Sequence, residues 1–205
     1  MVTFKSRGVG NNTHVTDVTD RSTKGCKRKS GADRDTDFDP LLPADAAAIV
    51  NTAKALLLAS GKGQIGSALK GKQLGLVCAN EPQFDADKGN PESSDADVFR
   101  FAATRLGACV AHIRPRLSAQ SPTTELRRLA LMLGRLYDAV ECQGMSRDLV
   151  RRIEAQAGVP VFFGLASADH PTAALTDQLQ GSASAHDKRV FILQASLMRS
   201  LERNS

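Results

Sequence analysis

The chain has 205 residues, of which 41% are hydrophobic and 24% charged, and a net charge of +5. That length suits one domain plus a tail, and the composition is ordinary for a soluble globular protein. No apolar run approaches the roughly 18–20 residues of a membrane span, and the N-terminal charges have no apolar core behind them, which argues against a secretory signal and for a cytoplasmic protein.

Residues 1–38 hold eight Lys or Arg and five Asp, a net of +3, which leaves +2 for the rest. They are rich in Gly, Asn, Ser and Thr and poor in large apolar residues, so they cannot bury enough surface to offset the entropy of ordering. A disordered basic tail is expected. Lys24, Lys27, Arg28 and Lys29 lie in it, so nucleic-acid binding is not the expected role of the folded part.

From Asp39 the pattern changes. Pro43 and Asp45 precede Ala46, Ile49, Val50, Ala53, Leu56 and Leu57, a helix start followed by apolar spacing of three and four. That helix ends near Ser60-Gly61. A Lys70-Gly71-Lys72 turn leads to Leu74–Cys78, a short buried strand, and residues 80–97 form an acidic loop. Val98, Phe99, Ala102, Ala103 and Leu106 then share one face of a helix over 96–106. Ala108–Ile113 reads as a strand, 124–138 as a helix, 139–142 as a strand and 146–157 as a helix capped by Ser146. Val159–Phe163 is the last strand, a helix opens at Asp169 or His170, and an amphipathic helix over 186–202 closes the chain.

Helices alternate with strands that are continuous apolar runs, as expected where both sheet faces are covered. With short loops and right-handed crossovers, this predicts an α/β domain with a four-stranded parallel sheet sandwiched by helices. Ligands of such sheets sit at the carboxyl ends of the strands, so the loops that start at Ala79, Arg114, Gln143 and Gly164 are the candidates. Cys26, Cys78, Cys109 and Cys142 form no CxxC pair; the last three lie in strand-like stretches, where a free thiol acts as a small hydrophobe. Gly61-Lys62-Gly63-Gln64-Ile65-Gly66 spells GxGxxG but follows a helix, which fails the dinucleotide test. Asp33, Asp35, Asp37 and Asp39 alternate like a calcium loop but lack its Gly and its Glu. No metal or cofactor is expected.

Several segments together resemble a known family. Leu74-Gly75-Leu76-Val77 followed by Ala102-Ala103-Thr104-Arg105-Leu106-Gly107-Ala108, then Asp138-Ala139-Val140 and Gly144, is similar to the first domain of the ornithine and aspartate carbamoyltransferases. Val159-Pro160-Val161, Gly164-Leu165 and His170-Pro171-Thr172-Ala173-Ala174-Leu175-Thr176-Asp177 carry the most specific part, which resembles the family's His-Pro-x-Gln-x-Leu-x-Asp. The Gly-Leu pair and the loop length before His170 lean towards the ornithine branch. Residues 187–197 look like the family's last helix, which in the family follows a whole second domain. The resemblance implies a carbamoyl-phosphate-binding-like domain over 39–180, a linker over 181–186 in place of the amino-acid-binding domain, and a helix over 187–205 that packs back on the first domain.

The family binds its dianionic substrate with Ser-Thr-Arg-Thr-Arg in the first loop, an Arg after the third strand, and the His and Gln of the last motif. Here the first loop carries six acids from Glu81 to Asp97 and one base, Lys88. Gln143 stands at the third-strand Arg position and Ala173 at the Gln position, while His170 is retained. Arg114 and Arg116 in the second loop are the candidates for substitute anion ligands. Losing three charged hydrogen bonds costs very roughly 4–9 kcal/mol if they add. The resemblance therefore implies a catalytically inactive domain that acts through assembly, or else a reduced carbamoyltransferase or carbamoyl-phosphate-binding protein of amino-acid metabolism that uses His170, Arg114, Arg116 and Gln143. The implied partners are further copies, as a trimer by family analogy, or a full-length carbamoyltransferase.

Overall fold

The structure, a computed structural model, describes residues 41–61, 66–78, 94–115 and 121–203. The expected disordered tail, the acidic residues from Glu81 to Glu92 and Arg116 lie outside the described residues. Helix α1 spans Pro43–Gly61, β1 Gln73–Cys78, α2 Asp95–Arg105, β2 Cys109–Ile113, α3 Thr123–Leu136, β3 Ala139–Gln143, α4 Arg147–Ala157 and β4 Val161–Phe163. A 3-10 helix, Pro171–Gln178, and α5, Ala185–Glu202, follow.

The four strands form one parallel sheet in the order β2-β1-β3-β4, so the α/β architecture read from the sequence is the observed one. The chain moves outward from β1 to β2, crosses back to β3 on the other side of β1, and continues to β4. The direction reverses between β1 and β3, which opens a crevice at their carboxyl ends.

The sheet's two faces are both apolar. Leu74, Leu76 and Cys78 of β1 and Ala139 of β3 pack with Phe99, Ala102 and Ala103 of α2 and Val190, Leu193 and Leu197 of α5. Val77, Val140 and Cys142 face Leu126, Ala130 and Leu133 of α3 and Leu149, Val150 and Ile153 of α4. The period-two alternation of strand side chains sorts these residues between the faces.

A further layer covers α5. Phe191, Ile192 and Ala195 meet Ile49, Val50 and Ala53 of α1 and Leu175 and Leu179 of the 3-10 segment. α5 therefore buries both its sides, and nine of its residues are buried. Polar contacts fix its position. Gln194 Nε2 donates to the Ala102 carbonyl at 3.1 Å, and Arg199 donates to Asp45 Oδ1 at 2.6 and 3.0 Å.

At the other end of the sheet Asp138 ties β1 to β3. Its Oδ2 accepts from the Gln73 amide at 2.7 Å and its Oδ1 meets Lys72 Nζ at 3.0 Å. The Gln73 amide, and then Lys72, hold this carboxyl below the usual range.

Four details differ from the sequence reading. The segment after His170 is a 3-10 helix, with Thr172 and Leu175 buried three residues apart, the repeat of that tighter helix. The third helix stops at Leu136 because Tyr137 is extended (φ −128°, ψ 148°). Ser146 occupies the N-cap of α4 without a side-chain capping bond. Cys109, at the first position of β2, is exposed, whereas Cys78 and Cys142 are buried.

Candidate functional site

The crevice predicted by the topology is a cleft of about 520 Å³ at the carboxyl ends of β1, β2 and β3. Cys78 ends β1, His112 and Arg114 come from β2 and its exit, and Gln143 and Gly144 end β3. The first turn of α2 supplies Ser94, Asp95, Ala96, Asp97 and Arg100.

A helix N-terminus attracts anions, but this one already holds two carboxylates, Asp95 and Asp97. Ser94 caps α2: its Oγ accepts from the Asp97 amide at 3.2 Å and donates to Asp97 Oδ2 at 2.6 Å. Arg100 donates to Asp97 Oδ1 at 2.8 Å. The Ser94 hydroxyl first, then Arg100, keep Asp97 below its ordinary value, so it stays ionised at neutral pH. The Arg100 guanidinium is thus engaged by an acid of its own helix.

Beside this turn, Cys78 Sγ lies 3.1 Å from His112 Nε2. Leu76 pairs with His112 across β1 and β2, and period-two alternation puts Cys78 on the same face one step further along. Burial pushes the thiol up, while the Arg114 guanidinium works in the opposite direction. Burial and then Arg114 push the imidazole down.

Two residues before Gln143 on β3 is Glu141, with no solvent exposure. Its Oε1 accepts from the Leu165 amide at 2.8 Å and from Gln143 Nε2 at 3.3 Å. Its Oε2 has no partner among the described residues. Burial pushes this carboxyl up to about 8, so it is a neutral acid at pH 7.

His170 stands apart from this cleft. It lines a smaller cavity of about 190 Å³ with Arg147, Arg151 and Phe163. Its Nδ1 accepts from the Thr172 amide at 3.2 Å and lies 2.8 Å from Thr172 Oγ1, which caps the 3-10 helix. With Nδ1 an acceptor, the neutral ring carries its proton on Nε2. Burial, then Arg189, push the imidazole down to about 4. Arg189 of α5 donates to Thr172 Oγ1 at 3.1 Å and to the Leu165 and Ser167 carbonyls at 2.6 and 2.9 Å, so it ties the last helix to the loop after β4.

Of the four residues singled out from the sequence, the structure brings Arg114 and Gln143 into one cleft, places His170 in another cavity, and does not describe Arg116. The sequence reading did not single out Glu141, Cys78 with His112, or Arg189. Glu141 had a signal: it is the one charged residue in the apolar run 139–142. The pairing of Cys78 with His112 had none, because it depends on strand register. Among the described residues no three His, Cys, Asp or Glu side chains gather to hold a metal, and no helix is long and apolar enough to cross a membrane.

No protein-family model matches the chain. It is 43% identical over 80 residues to the catabolic ornithine carbamoyltransferase of Burkholderia mallei, a stretch that is 39% of this chain and 24% of that protein. It is 40% identical over 82 residues to the ornithine carbamoyltransferase of Neisseria meningitidis, 40% of this chain and 31% of the relative. Over these stretches the chain is similar to the ornithine carbamoyltransferases. Among solved structures, the ornithine carbamoyltransferase of Pyrococcus furiosus aligns with a TM-score of 0.51 at 22% identity, covering 66% of this chain and 40% of that one. The Burkholderia thailandensis enzyme aligns with a TM-score of 0.51 at 19% identity, covering 65% and 43%. These alignments show the shared fold. The matched stretches span only 24% and 31% of the length of these two curated relatives.

Proposed function

We propose that this chain is a carbamoyltransferase-like domain that has lost carbamoyl transfer and acts through assembly, with further copies of itself or with a full-length relative. The observation that carries the reading is the occupied N-terminus of α2. Asp95 and Asp97 line the cleft at that turn, and Asp97 engages Arg100. A doubly anionic phosphate there meets like charge, and in a partly desolvated cleft like charges repel more strongly than in water. Gln143 can donate a neutral hydrogen bond in place of a charged one. His170, a half-buried cap of the 3-10 helix, lines a different cavity.

The second reading is a reduced carbamoyl-phosphate-binding protein of amino-acid metabolism, using Arg114, Arg116, Gln143 and His170. The shared cleft of Arg114 and Gln143 favours it. Neither reading uses a cofactor or a metal.

Calorimetric titration of the purified chain with carbamoyl phosphate separates the two. The first reading expects no saturable binding below the millimolar range; tight uptake that Arg114→Ala abolishes establishes the second. Light scattering of the chain, alone and co-expressed with a full-length ornithine carbamoyltransferase, tests assembly. A monomer with no affinity for that enzyme removes the assembly role.

A further inference from the structure

The cleft contains chemistry that carbamoyl-phosphate binding does not use. Cys78 and His112 come from adjacent parallel strands and meet at 3.1 Å on the wall of a cleft of about 520 Å³. A nucleophile within hydrogen-bond reach of a base is the arrangement that activates a thiol. We propose that Cys78 and His112 form a thiol–imidazole nucleophile that takes the acyl group of a small, uncharged, activated ester.

The protonation states fit a base-assisted attack. Burial keeps the Cys78 thiol protonated at neutral pH, and burial with Arg114 keeps His112 neutral, able to accept a proton. The charged groups that face the pair are Arg114 at the exit of β2, Asp97 and Arg100 on α2, and Glu141 on β3. Arg114 favours the thiolate as it forms. Glu141, a neutral acid at pH 7, opposes it little until pH rises past about 8.

The cleft's charge selects the substrate class. Asp95 and Asp97 stand against Arg100 and Arg114, so neither an anion nor a cation is favoured over a neutral molecule. In the reaction, Sγ attacks the carbonyl carbon while His112 Nε2 takes the thiol proton. The tetrahedral adduct then expels the alkoxide or phenoxide, the bond to that oxygen breaks, and the imidazolium returns the proton to the leaving group. The products are S-acyl-Cys78 and a free alcohol or phenol, with no oxidant or second reactant required.

The same chain contains two internal controls. Cys109 is an exposed thiol, and Cys142, buried like Cys78, does not line the cleft. The full chain is treated with p-nitrophenyl acetate at about pH 7, and each cysteine-containing peptide is followed by mass spectrometry. Cys78 is expected to acquire acetyl at least about a hundredfold faster than Cys109, the lower end of base assistance, while Cys142 stays unmodified. His112→Gln is expected to remove that advantage and leave the Cys109 rate unchanged; acetylation of Cys142 in the variant would report loss of fold. A second readout needs no variant. The Cys78 rate is expected to be flat from about pH 7 to about pH 8, because the base is already deprotonated, whereas an unassisted thiol gains about tenfold per unit below its own pKa. A Cys78 slower than Cys109, or a Cys78 rate that climbs like that of an unassisted thiol, overturns the proposal.

Discussion

Glu141 governs how the stability of this protein responds to pH just above neutrality. Its carboxyl has no solvent exposure and one oxygen without a partner among the described residues, and burying an ion there costs far more than burying the acid. The unfolded carboxyl ionises near 4.5, whereas the folded one holds its proton up to about 8. In that window the folded chain binds more protons than the unfolded one, so each rise in pH favours unfolding by about 1.4 kcal/mol per unit, and the loss levels off above the folded value. His170, pushed down to about 4, acts in the opposite sense and only below its ordinary value near 6.5, because there the unfolded ring takes up the proton. The window from about 6.5 to 8 therefore isolates Glu141. Urea unfolding should show the chain losing about 2 kcal/mol across it. Glu141→Gln keeps the shape and cannot ionise, so its unfolding free energy should be level over the same range. A variant whose pH dependence matches the parent's would place the titration elsewhere. At this scale the sequence shows the residue type and motif of His170, whereas the bond its Nδ1 accepts from the Thr172 amide is legible only in the local backbone.

The elements are held by close helix packing as much as by the sheet. A methyl group built on Gly134 of α3 would sit 1.7 Å from the Ala157 carbonyl oxygen at the end of α4. The contact is to backbone, so no side chain can swing aside, and the two helices must separate. Gly134→Ala gains about 1 kcal/mol of helix propensity. The overpacking outweighs it, because forcing extra volume into a packed contact costs about 1–3 kcal/mol, occasionally more. A lower melting temperature is expected for Gly134→Ala. Gly61→Ala, at the open end of α1 where nothing lies within 4 Å, should be neutral or slightly stabilising. Equal effects in the two melts would show that α3 and α4 do not meet as closely as this. Gly158 ends α4 in the left-handed region (φ 70°), a conformation glycine adopts without strain, and it marks the boundary that the apolar periodicity alone leaves loose.

For the molecule as a whole, the order of helices and strands was legible because each strand is a short, continuous apolar run and each helix a period of three and four. The pairing order was not, since β2-β1-β3-β4 depends on which face each crossover takes. The place of the cleft at the carboxyl ends of the strands was legible, but its Cys78–His112 contact, a product of register, was not. Residues 39–180 and the terminal helix remain a domain reading that rests on family resemblance, but α5's packing has a consequence of its own. One side of α5 belongs to the sheet core through Leu193 and Leu197, and the other to the outer cluster with α1 through Ile192 and Ala195. Neither cluster can dissolve without exposing a face of the same helix, so both should unfold in one transition. The chain has one Tyr and no Trp, and Tyr137 packs on the opposite face of the sheet, against the α3–α4 cluster. Its fluorescence reports that far face, while far-UV circular dichroism sums all the helices. The two signals should give the same urea midpoint. Leu193→Ala and Ile192→Ala, each a fully buried residue, should each move both signals together by about 2–5 kcal/mol. If Ile192→Ala instead splits the dichroism into two steps and leaves the Tyr137 midpoint in place, then α1 and α5 form a separable layer, and the sheet with its cleft stands without them.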